Sequence, residues 1–458
     1  MNKSKAVAVR LVILTVLSLG AFVSALAQEA APTTSKLDEY LSAAAKQGFT
    51  GSALVAKDGK VIFSKGYGMA NAEWDIPNTP QTKFRLGSIT KQFTAAAILL
   101  LQERGKLSVQ DPACKYVAEC PKAWEPITIH HLLVHTSGIP SYTDVKSPED
   151  FRKLSLTSVT PAGFVDSFKS KPLEFAVGEK MKYNNSGYFM LGYIIEKVSG
   201  QSYEAFLQDN IFTSLKMANT GYDTHDRILK HRATGYSRKN DVRINSDYLD
   251  MTVPYAAGSL YSTVEDLFAW NESLFSDKLL SAKSREAMMT VDKNDYAYGL
   301  AVNQRHNRKT ISHGGGINGF NTILARFPED KVTIVVLRNA DYGVPNPGKV
   351  SQDLAAIVFG EKYELPRERV AIKIDPKIYD VYVGRYELPD LILEVAKEGD
   401  RLMAAPIGQP KLELFPESET KFFHKERDLQ ITFVKDDKGA VTHLILHGGR
   451  DRTAKKIK

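Results

Sequence analysis

The chain has 458 residues, of which 43% are hydrophobic, so it is long enough for two or three domains and can bury a core. Its formal charge is +7, but three positive charges and no negative ones precede position 28, so the remaining residues carry +4. That modest excess excludes the concentrated basic face of a nucleic-acid-binding protein, and we expect no nucleic-acid partner.

The first residues have the organisation of a secretory signal peptide. Three basic residues precede an apolar run that ends in Ala25-Leu26-Ala27, a small-x-small cleavage pattern. We therefore predict a signal peptide over 1–27, a linker over 28–35, and a periplasmic or secreted protein with no stable membrane span after cleavage. An uncleaved membrane anchor is the alternative, although the apolar run is short for a span.

The chain contains two cysteines, Cys114 and Cys120. An exported protein meets an oxidising compartment, where such a pair can stay bonded, so a disulfide that closes a small loop is favoured. Two reduced thiols are the alternative, and the spacing excludes a redox Cys-x-x-Cys site.

In chain order, a helical pattern in "SKLDEYLSAAAKQG" precedes two strands in "FTGSALVAKDGKVIFSKGYG", joined at Asp58-Gly59, a hairpin signal. Residues 88–104 have helical periodicity, and Gly105 is placed to end that helix. The chain to about residue 275 is mostly helical, with start or stop signals in "TIHHLLVHTSG", "SGYFMLGYIIEKVSG", "SYEAFLQDNIF" and "STVEDLFAWNESLF". Strands return in "YGLAVNQ", "RKTISH", "FNTILARF" and "KVTIVVLRN", and "KVSQDLAAIVFG" adds a closing helix.

Strands at both ends with helices between them predict an α/β (α+β) domain over 36–362. We expect an antiparallel sheet flanked by helices, plus a helical lobe, with a cleft where the two meet. A charged linker over 363–375 leads to residues 376–458, where apolar and polar residues alternate between turns. This second pattern predicts a small antiparallel all-β domain, built like a barrel.

The segment "FRLGSITKQFTA" holds the first candidate pair, Ser88 and Lys91. The chain enters an amphipathic helix here, so both side chains project from one face, about a turn apart. A lysine can take the proton of a serine nucleophile only when it is neutral, and burial would lower its pKa. A helix cap followed by a surface charge is the alternative, and the same Ser-x-x-Lys pattern recurs at Ser418, to which we assign no role.

Two further segments carry candidate residues. "YNNSGYF" contains Tyr183 and Asn185, the one Tyr-x-Asn in the chain, and the tyrosine is placed to share a proton with Lys91. "ISHGGGINGF" places His313 before glycines, whose bare backbone allows a substrate to approach closely. Taken singly, the tyrosine could be the edge of a core, Asn185 a helix cap and the glycines a hairpin turn.

In this order the three segments resemble the serine β-lactamase and penicillin-binding protein superfamily, above all its class C β-lactamase and D-peptidase branch. "ITIHHLLVHTSGIPSY" and "AAGSLYSTVEDL" are also similar to that branch, and the resemblance covers about residues 36–360. It implies a serine β-lactamase-like fold and an enzyme that needs no cofactor. The all-β tail is similar to accessory domains that are attached to such hydrolases.

The resemblance also implies a role for each candidate. Ser88 would be the nucleophile that becomes acylated, and Lys91 its proton partner. Tyr183 would be a second acid or base that shares protons with the lysine. Asn185 would position the lysine and the substrate amide. Which of Lys91 and Tyr183 is the acylation base stays open.

β-Lactamases of this branch have Lys-Thr-Gly where this chain has His313-Gly314-Gly315, and that lysine helps to hold the substrate carboxylate. The resemblance implies that His313 and Gly315 bind the substrate, and that the N–H groups of Ser88 and Gly316 form the oxyanion hole. Because a histidine is mostly neutral at pH 7, carboxylate recognition should be weak. The departure favours D-amino-acid peptides or amides, or small esters, over antibiotics.

Three histidines, His130, His131 and His135, invite a metal interpretation, because His131 and His135 would share one helical face. No glutamate stands between them in the manner of His-Glu-x-x-His, and "HLLVHTSG" recurs in the superfamily, so we predict no metal site.

The function expected from the sequence is therefore that of an exported serine hydrolase acting on a small molecule or peptide, with cell-wall fragments among the possible substrates. A D-alanyl-D-alanine carboxypeptidase or weak β-lactamase is the alternative with the same chemistry. A catalytically idle scaffold whose β domain binds a partner is the alternative of another class, and the oligomeric state is left open.

Overall fold

A computed structural model of the chain describes residues 32–240, 242–388, 391–425, 429–447 and 452–457. The predicted signal peptide over 1–27 lies outside these residues, as does 28–31. A helix already runs over residues 32–46. The predicted linker over 28–35 is therefore wrong in its described part, because the helix that packs Leu37 and Leu41 into the core extends back through it.

The first domain combines helices with strands of very different lengths. Its helices are α1 (residues 32–46), α2 (Thr90–Glu103), α3 (Ile129–Leu133), α4 (Pro148–Ser155), α5 (Pro161–Lys169), α6 (Asn185–Ser199), α7 (Tyr203–Leu207), α8 (Tyr255–Gly258), α9 (Val264–Ser273), α10 (Ala282–Met289) and α11 (Pro347–Phe359). Its strands are β1 (Gly51–Lys57), β2 (Lys60–Tyr67), β3 (Met69–Asn71), β4 (Ile76–Pro77), β5 (Phe84–Arg85), β6 (Gly221–Tyr222), β7 (Tyr236–Lys239), β8 (Val242–Asn245), β9 (Leu260–Ser262), β10 (Ala301–Arg305), β11 (Arg308–Ile317), β12 (Phe320–Phe327) and β13 (Val332–Arg338). Within the described ranges, the helices fall short of the length and apolarity that a bilayer span requires.

One six-stranded antiparallel sheet organises this domain, in the order β10-β11-β12-β13-β1-β2. The pairing of β1 with β13 sets Gly51 opposite Arg338, so strands from the two ends of the domain lie side by side. The turn at Asp58-Gly59 joins β1 to β2 with positive φ at both residues, as its hairpin signal predicts. The predicted sheet flanked by helices is confirmed.

Apolar side chains pack on both faces of this sheet. On one face, α1 and α11 bury residues that include Leu37 and Leu354. On the other face lies the helical lobe, whose centre is α2. The predicted amphipathic character of this helix is wrong, because α2 is buried from Thr90 to Leu101, between α6, α8, α10 and the sheet. A helix enclosed on all sides needs no polar face.

The second domain is a closed antiparallel barrel. Its strands are β14 (Gly384–Leu388), β15 (Leu391–Glu398), β16 (Arg401–Pro406), β17 (Leu412–Pro416), β18 (Lys421–Phe423), β19 (Gln430–Lys435), β20 (Val441–His447) and β21 (Arg452–Lys456). Tyr386 of β14 pairs with Lys456 of β21 and so closes the barrel. Aromatic side chains fill the interior, where Tyr382 stacks on Phe433 with ring centroids 4.3 Å apart. The predicted all-β domain is confirmed.

A disulfide joins Cys114 to Cys120 in the loop between α2 and α3, with Cα atoms 5.3 Å apart. Replacing both cysteines with serine should lower the free energy of unfolding by about 2 kcal/mol, because so short a loop restricts the unfolded chain only slightly. Denaturant unfolding followed by tryptophan fluorescence measures this loss in the first domain, which contains all three tryptophans. A loss above about 5 kcal/mol would contradict the expectation, since it exceeds the range for removal of one disulfide.

Candidate active site

Ser88 lies in a 3₁₀ turn, Gly87–Ile89, that leads from β5 into α2. The residue at the N-cap of α2 is Ile89, whose side chain makes no capping hydrogen bond. The Ser88 hydroxyl instead lies 3.0 Å from the Nζ atom of Lys91. The alternative interpretation of Ser88 as a helix cap is therefore wrong, and the predicted pair is in contact.

Lys91 is completely buried, and its amine contacts three oxygens. Nζ lies 2.8 Å from Oδ1 of Asn185, 2.9 Å from the carbonyl oxygen of Ala257 and 3.0 Å from Oγ of Ser88. Burial lowers the pKa of the Lys91 amine well below its usual range. A neutral amine has two N–H groups, and Asn185 Oδ1 and the carbonyl can only accept. The lone pair of the nitrogen is then directed at the Ser88 hydroxyl.

Asn185 is free to face the lysine because its neighbour caps the helix. The side chain of Asn184 accepts a hydrogen bond from the N–H of Gly187 at 2.8 Å, so Asn184 is the N-cap of α6. The Nδ2 atom of Asn185 donates to the hydroxyl of Thr143 at 3.1 Å, which orients Oδ1 toward Lys91. The alternative interpretation of Asn185 as a helix cap is therefore wrong, because the preceding residue, Asn184, is the cap.

Tyr183 lies beside the same amine. Its ring centroid is 4.9 Å from the Nζ atom of Lys91 and 4.4 Å from the ring of His135. Burial raises the pKa of Tyr183 above its usual range, and a hydrogen bond with the Ser88 hydroxyl opposes part of that shift. Because burial favours the uncharged form of both groups, these pKa directions favour Lys91 as the proton acceptor and Tyr183 as a donor.

Strand β11 passes close to the turn that holds Ser88. A Cβ atom on Gly315 would lie 1.9 Å from the carbonyl oxygen of Leu86, so only glycine permits this approach. Thr322 of β12 donates to the same oxygen at 2.8 Å and holds the segment against the sheet. Gly315 is thus a packing position in this structure, whereas Gly316 has open space where a Cβ would be.

The edge of β11 is open beyond Ser312. β10 pairs with β11 only as far as Ser312, opposite Ala301. Residues 313–317 of β11 pair with β12 on the other side, and within the described chain β10 does not cover them. The N–H of Gly316 is predicted to complete the oxyanion hole, and both Gly316 and Ser88 line the same cavity.

The side chain of His313, a residue of β11, is buried rather than exposed in the cleft. Its Nδ1 atom donates to the carbonyl oxygen of Gly314 at 2.5 Å, and its Nε2 atom accepts from the Tyr296 hydroxyl at 2.9 Å. Burial, with a smaller contribution from Lys91, lowers the pKa of His313 to about 4. The imidazole is therefore neutral at pH 7 and supplies no positive charge to a substrate.

The cavity next to Ser88 has a volume of about 390 Å³. Glycine, polar and apolar residues line it: Gly87, Ser88, Tyr142, Thr143, Phe151, Asn185, Leu249, Val253, Pro254, Ala257, Gly258, Gly316, Ile317, Asn318, Phe320, Asn321 and Asp341. Lys91, His313 and Gly315 are buried beneath this surface, whereas Tyr183 is exposed beside it. Among its described lining residues there is no lysine or arginine, so the cleft holds no cation for a substrate carboxylate.

His131 in α3 and His135 in the turn that follows have separate structural roles. α3 ends at Leu133 and His135 has a φ of 60°, so the expectation that His131 and His135 share a helical face is wrong. His131 accepts from the N–H of Thr128, at the start of its own helix. His135 accepts from the N–H of Asn184 at 3.1 Å and packs on Tyr183.

Sequence reasoning missed several contributors to the site. It assigned no role to the carbonyl of Ala257, to Thr143 or to His135, although all three help to position the candidate residues. Ala257 and His135 lie in "AAGSLYSTVEDL" and "HHLLVHTSGIPSY", which resemble the superfamily, and Thr143 follows the second segment directly. The contacts of Ala257 and Thr143 with the candidate residues are long-range, so the sequence pattern does not indicate them.

Comparisons with known proteins agree with this geometry. Residues 35–357 match the family described as Beta-lactamase, and residues 368–456 match a domain of unknown function, DUF3471. Penicillin-binding protein 4* of Bacillus subtilis (strain 168) is 31% identical over 442 residues, which cover 90% of this chain and 96% of that protein.

Solved structures of related proteins have a similar fold. The octameric penicillin-binding protein homologue from Pyrococcus abyssi superposes with a TM-score of 0.65 and 29% identity, over 92% of this chain and 99% of the other. The D-stereospecific amidohydrolase from Streptomyces sp. gives a TM-score of 0.58 and 25% identity, over 72% of this chain and 98% of the other. The similarity to the Pyrococcus abyssi protein extends over both domains.

Replacing Gly315 with alanine should lower the rate of ester hydrolysis about 100-fold, because β11 must move away from the turn that holds Ser88. Gly314→Ala is the matched control, since its Cβ would only make ordinary contacts, at 3.4 Å from the nearest atom. Steady-state hydrolysis of p-nitrophenyl acetate measures both variants. Equal rates for the two would refute the packing role of Gly315.

Replacing Lys91 with glutamine should lower the rate of Ser88 acylation by about 10²–10⁴-fold, because the amide cannot accept the serine proton. In the native protein the rate should fall as the pH drops through the lowered pKa of Lys91, since the protonated amine has no lone pair. Burst kinetics with p-nitrophenyl acetate give both results, with Lys171→Gln as an exposed control. Retention of the rate within threefold would exclude Lys91 as the base.

Proposed function

This chain belongs to the beta-lactamase family of serine hydrolases, and we propose that it is exported and cleaves an ester or amide through an acyl-enzyme on Ser88. The observation that carries the proposal is the environment of Lys91. Two acceptors, Asn185 Oδ1 and the carbonyl of Ala257, occupy the N–H groups of the neutral amine. Its lone pair is then available to the Ser88 hydroxyl at 3.0 Å.

Acylation proceeds from this arrangement. As Oγ of Ser88 attacks the substrate carbonyl carbon, the proton of the hydroxyl passes to Nζ of Lys91. The carbonyl oxygen becomes an oxyanion at the N–H groups of Ser88 and Gly316. When the bond to the leaving group breaks, the phenol of Tyr183 donates a proton to the departing oxygen or nitrogen, and Lys91 restores that proton. The alcohol or amine leaves first.

Deacylation uses the same groups in reverse. A water molecule attacks the acyl carbon, gives its proton to the base and expels Oγ of Ser88, which regains its own proton. The products are a carboxylic acid and free enzyme, so the atoms of one ester or amide and one water are accounted for. The exposed face of the site favours water entry, since 38% of the surface of Tyr183 is accessible to solvent.

The charges around the cleft support a substrate without a carboxylate next to the scissile bond. His313 is neutral at pH 7, and Gly314 offers no hydroxyl where β-lactamases of this branch have a threonine. These features favour D-amino-acid peptides or amides and small esters. The likeness to the D-stereospecific amidohydrolase from Streptomyces sp. supports the same class.

Export rests on the sequence of the first 27 residues, and substrates derived from the cell wall would be met outside the cytoplasm. The similarity to Penicillin-binding protein 4* keeps a D-alanyl-D-alanine carboxypeptidase or weak β-lactamase as the second candidate. Those activities need recognition of a carboxylate, for which the described cleft residues provide no cation. A catalytically idle scaffold is disfavoured because Ser88, Lys91 and Tyr183 are in contact.

Hydrolysis of a small panel by the mature protein tests the proposal. The panel contains p-nitrophenyl acyl esters, D-alanine p-nitroanilide, a D-Ala-D-Ala peptide and a chromogenic cephalosporin, with Ser88→Ala as the control. We expect turnover of esters or the anilide, abolished by Ser88→Ala, and an acyl adduct on Ser88 by intact mass. A folded protein with neither turnover nor adduct would favour the idle scaffold. Preference for the D-Ala-D-Ala peptide or the cephalosporin would favour the second candidate, a D-alanyl-D-alanine carboxypeptidase or weak β-lactamase.

A further inference from the structure

One acidic side chain lines the cleft beside the nucleophile. Asp341 lies three positions after the end of β13 and lines the same cavity as Ser88, Asn185 and Gly316. Among the described residues that line this cavity, every other side chain is apolar, glycine, or an uncharged hydroxyl or amide. The charge that a bound substrate meets in the cleft is therefore negative.

Hydrogen bonds fix the Asp341 carboxylate in place. Its Oδ2 atom accepts from the N–H of Gly319 at 2.9 Å and from the Ser237 hydroxyl at 2.6 Å. Its backbone N–H also donates to the carbonyl of Tyr236. Both of these side-chain hydrogen bonds involve Oδ2, so a ligand in the cleft can approach Oδ1. An oriented carboxylate is a better recognition element than a freely rotating one, because less conformational entropy is lost on binding.

In the described part of the chain the side-chain partners of this carboxylate are the N–H of Gly319 and the hydroxyl of Ser237, and Arg338 interacts with it electrostatically without an ion pair. The guanidinium of Arg338 is near, but it is buried and donates to the carbonyl oxygens of Gly343 and Pro345. Arg338 lines a separate cavity, at the junction with the barrel, and not the cleft that contains Ser88. The negative charge of Asp341 is therefore available to a substrate.

Apolar side chains form much of the remaining wall. Phe151, Leu249, Val253 and Phe320 lie in the same cavity as the carboxylate. A volume of about 390 Å³ is at the lower end of the range for small-molecule sites, so a substrate that fills it reaches the nucleophile, the apolar wall and the carboxylate together. The cleft thus combines a reactive serine, an apolar surface and one anion.

We propose that Asp341 is a specificity-determining residue that selects substrates carrying an ammonium group, namely esters or amides of amino compounds with an apolar side chain and a free amino group. The inference rests on the proposed function, because it concerns the substrate of that same site. Oδ1 of Asp341 would pair with the ammonium group while the apolar side chain packs on the opposite wall. A carboxylate-bearing substrate would be repelled by the same charge.

The size of the effect follows from the exposure of Asp341, which lies at the solvent-facing rim of the cleft. A charge-assisted hydrogen bond at a partly solvated position should change kcat/KM by about tenfold, less than a fully buried pair would. The effect should be on KM more than on kcat, since the pairing is present in both the bound substrate and the transition state.

The test compares three p-nitrophenyl esters that differ in charge at one position. These are the esters of phenylalanine, of N-acetylphenylalanine and of 3-phenylpropanoic acid, with both enantiomers of the first two. Asp341→Asn removes the charge and keeps an oxygen that can accept from the N–H of Gly319. Asp247→Asn is the matched control, because that carboxylate is exposed and does not line the cleft.

We expect native protein to favour one enantiomer of the phenylalanine ester over both neutral esters by about tenfold in kcat/KM. Asp341→Asn should remove that preference through a higher KM and leave the neutral esters within about twofold, and Asp247→Asn should change neither. Equal kcat/KM for charged and neutral esters in native protein, or an equal loss on all esters in Asp341→Asn, would overturn the role of Asp341. If neither protein hydrolyses any ester or acquires an adduct on Ser88, the proposed function itself fails, and with it this inference.

Discussion

The site depends on one constraint, which is that the amine of Lys91 must be kept away from water. A lysine in contact with solvent is protonated and cannot accept a proton from serine, whereas burial disfavours the charged form. This requirement explains why α2 is enclosed from Thr90 to Leu101. Phe93 of this helix stacks on Trp270 of α9 with centroids 4.0 Å apart, so aromatic packing holds α2 in the lobe.

Burial of the amine also determines what its neighbours must be. A buried N–H without an acceptor is costly, and Asn185 and the carbonyl of Ala257 provide the acceptors without adding a negative charge. A carboxylate in either place would stabilise the protonated amine and remove the base. Aromatic rings complete the enclosure, with Tyr183 and Tyr188 at 4.9 and 5.5 Å from Nζ. The lowered pKa of Lys91 thus depends on all the residues that enclose its amine.

The loop after β13 connects the cleft with the barrel domain. Asp341 lies in the cleft, whereas Tyr342 and Pro345 lie in a second cavity of about 680 Å³ at the junction of the two domains. Barrel residues such as Glu417 line this second cavity, and Glu417 forms an ion pair with Arg367 of the connecting segment at 3.0 Å. One short loop therefore contributes to both surfaces.

Local sequence determined the parts of this protein that depend on local backbone chemistry. The Asp58-Gly59 turn, the strands of the six-stranded sheet and of the barrel, and the helix that ends at Gly200 all follow from periodicity and from residues that tolerate positive φ, whereas the short strands β3 to β9 do not. The order of the three motifs was sufficient to recognise the superfamily and to choose Ser88, Lys91, Tyr183 and Asn185. Only the tertiary structure decided that α2 is buried on all sides, that Asn184 rather than Asn185 caps α6, and that Asp341 borders the cleft. These features depend on contacts such as those of Lys91 with residues 94 and 166 positions away, which no local pattern encodes.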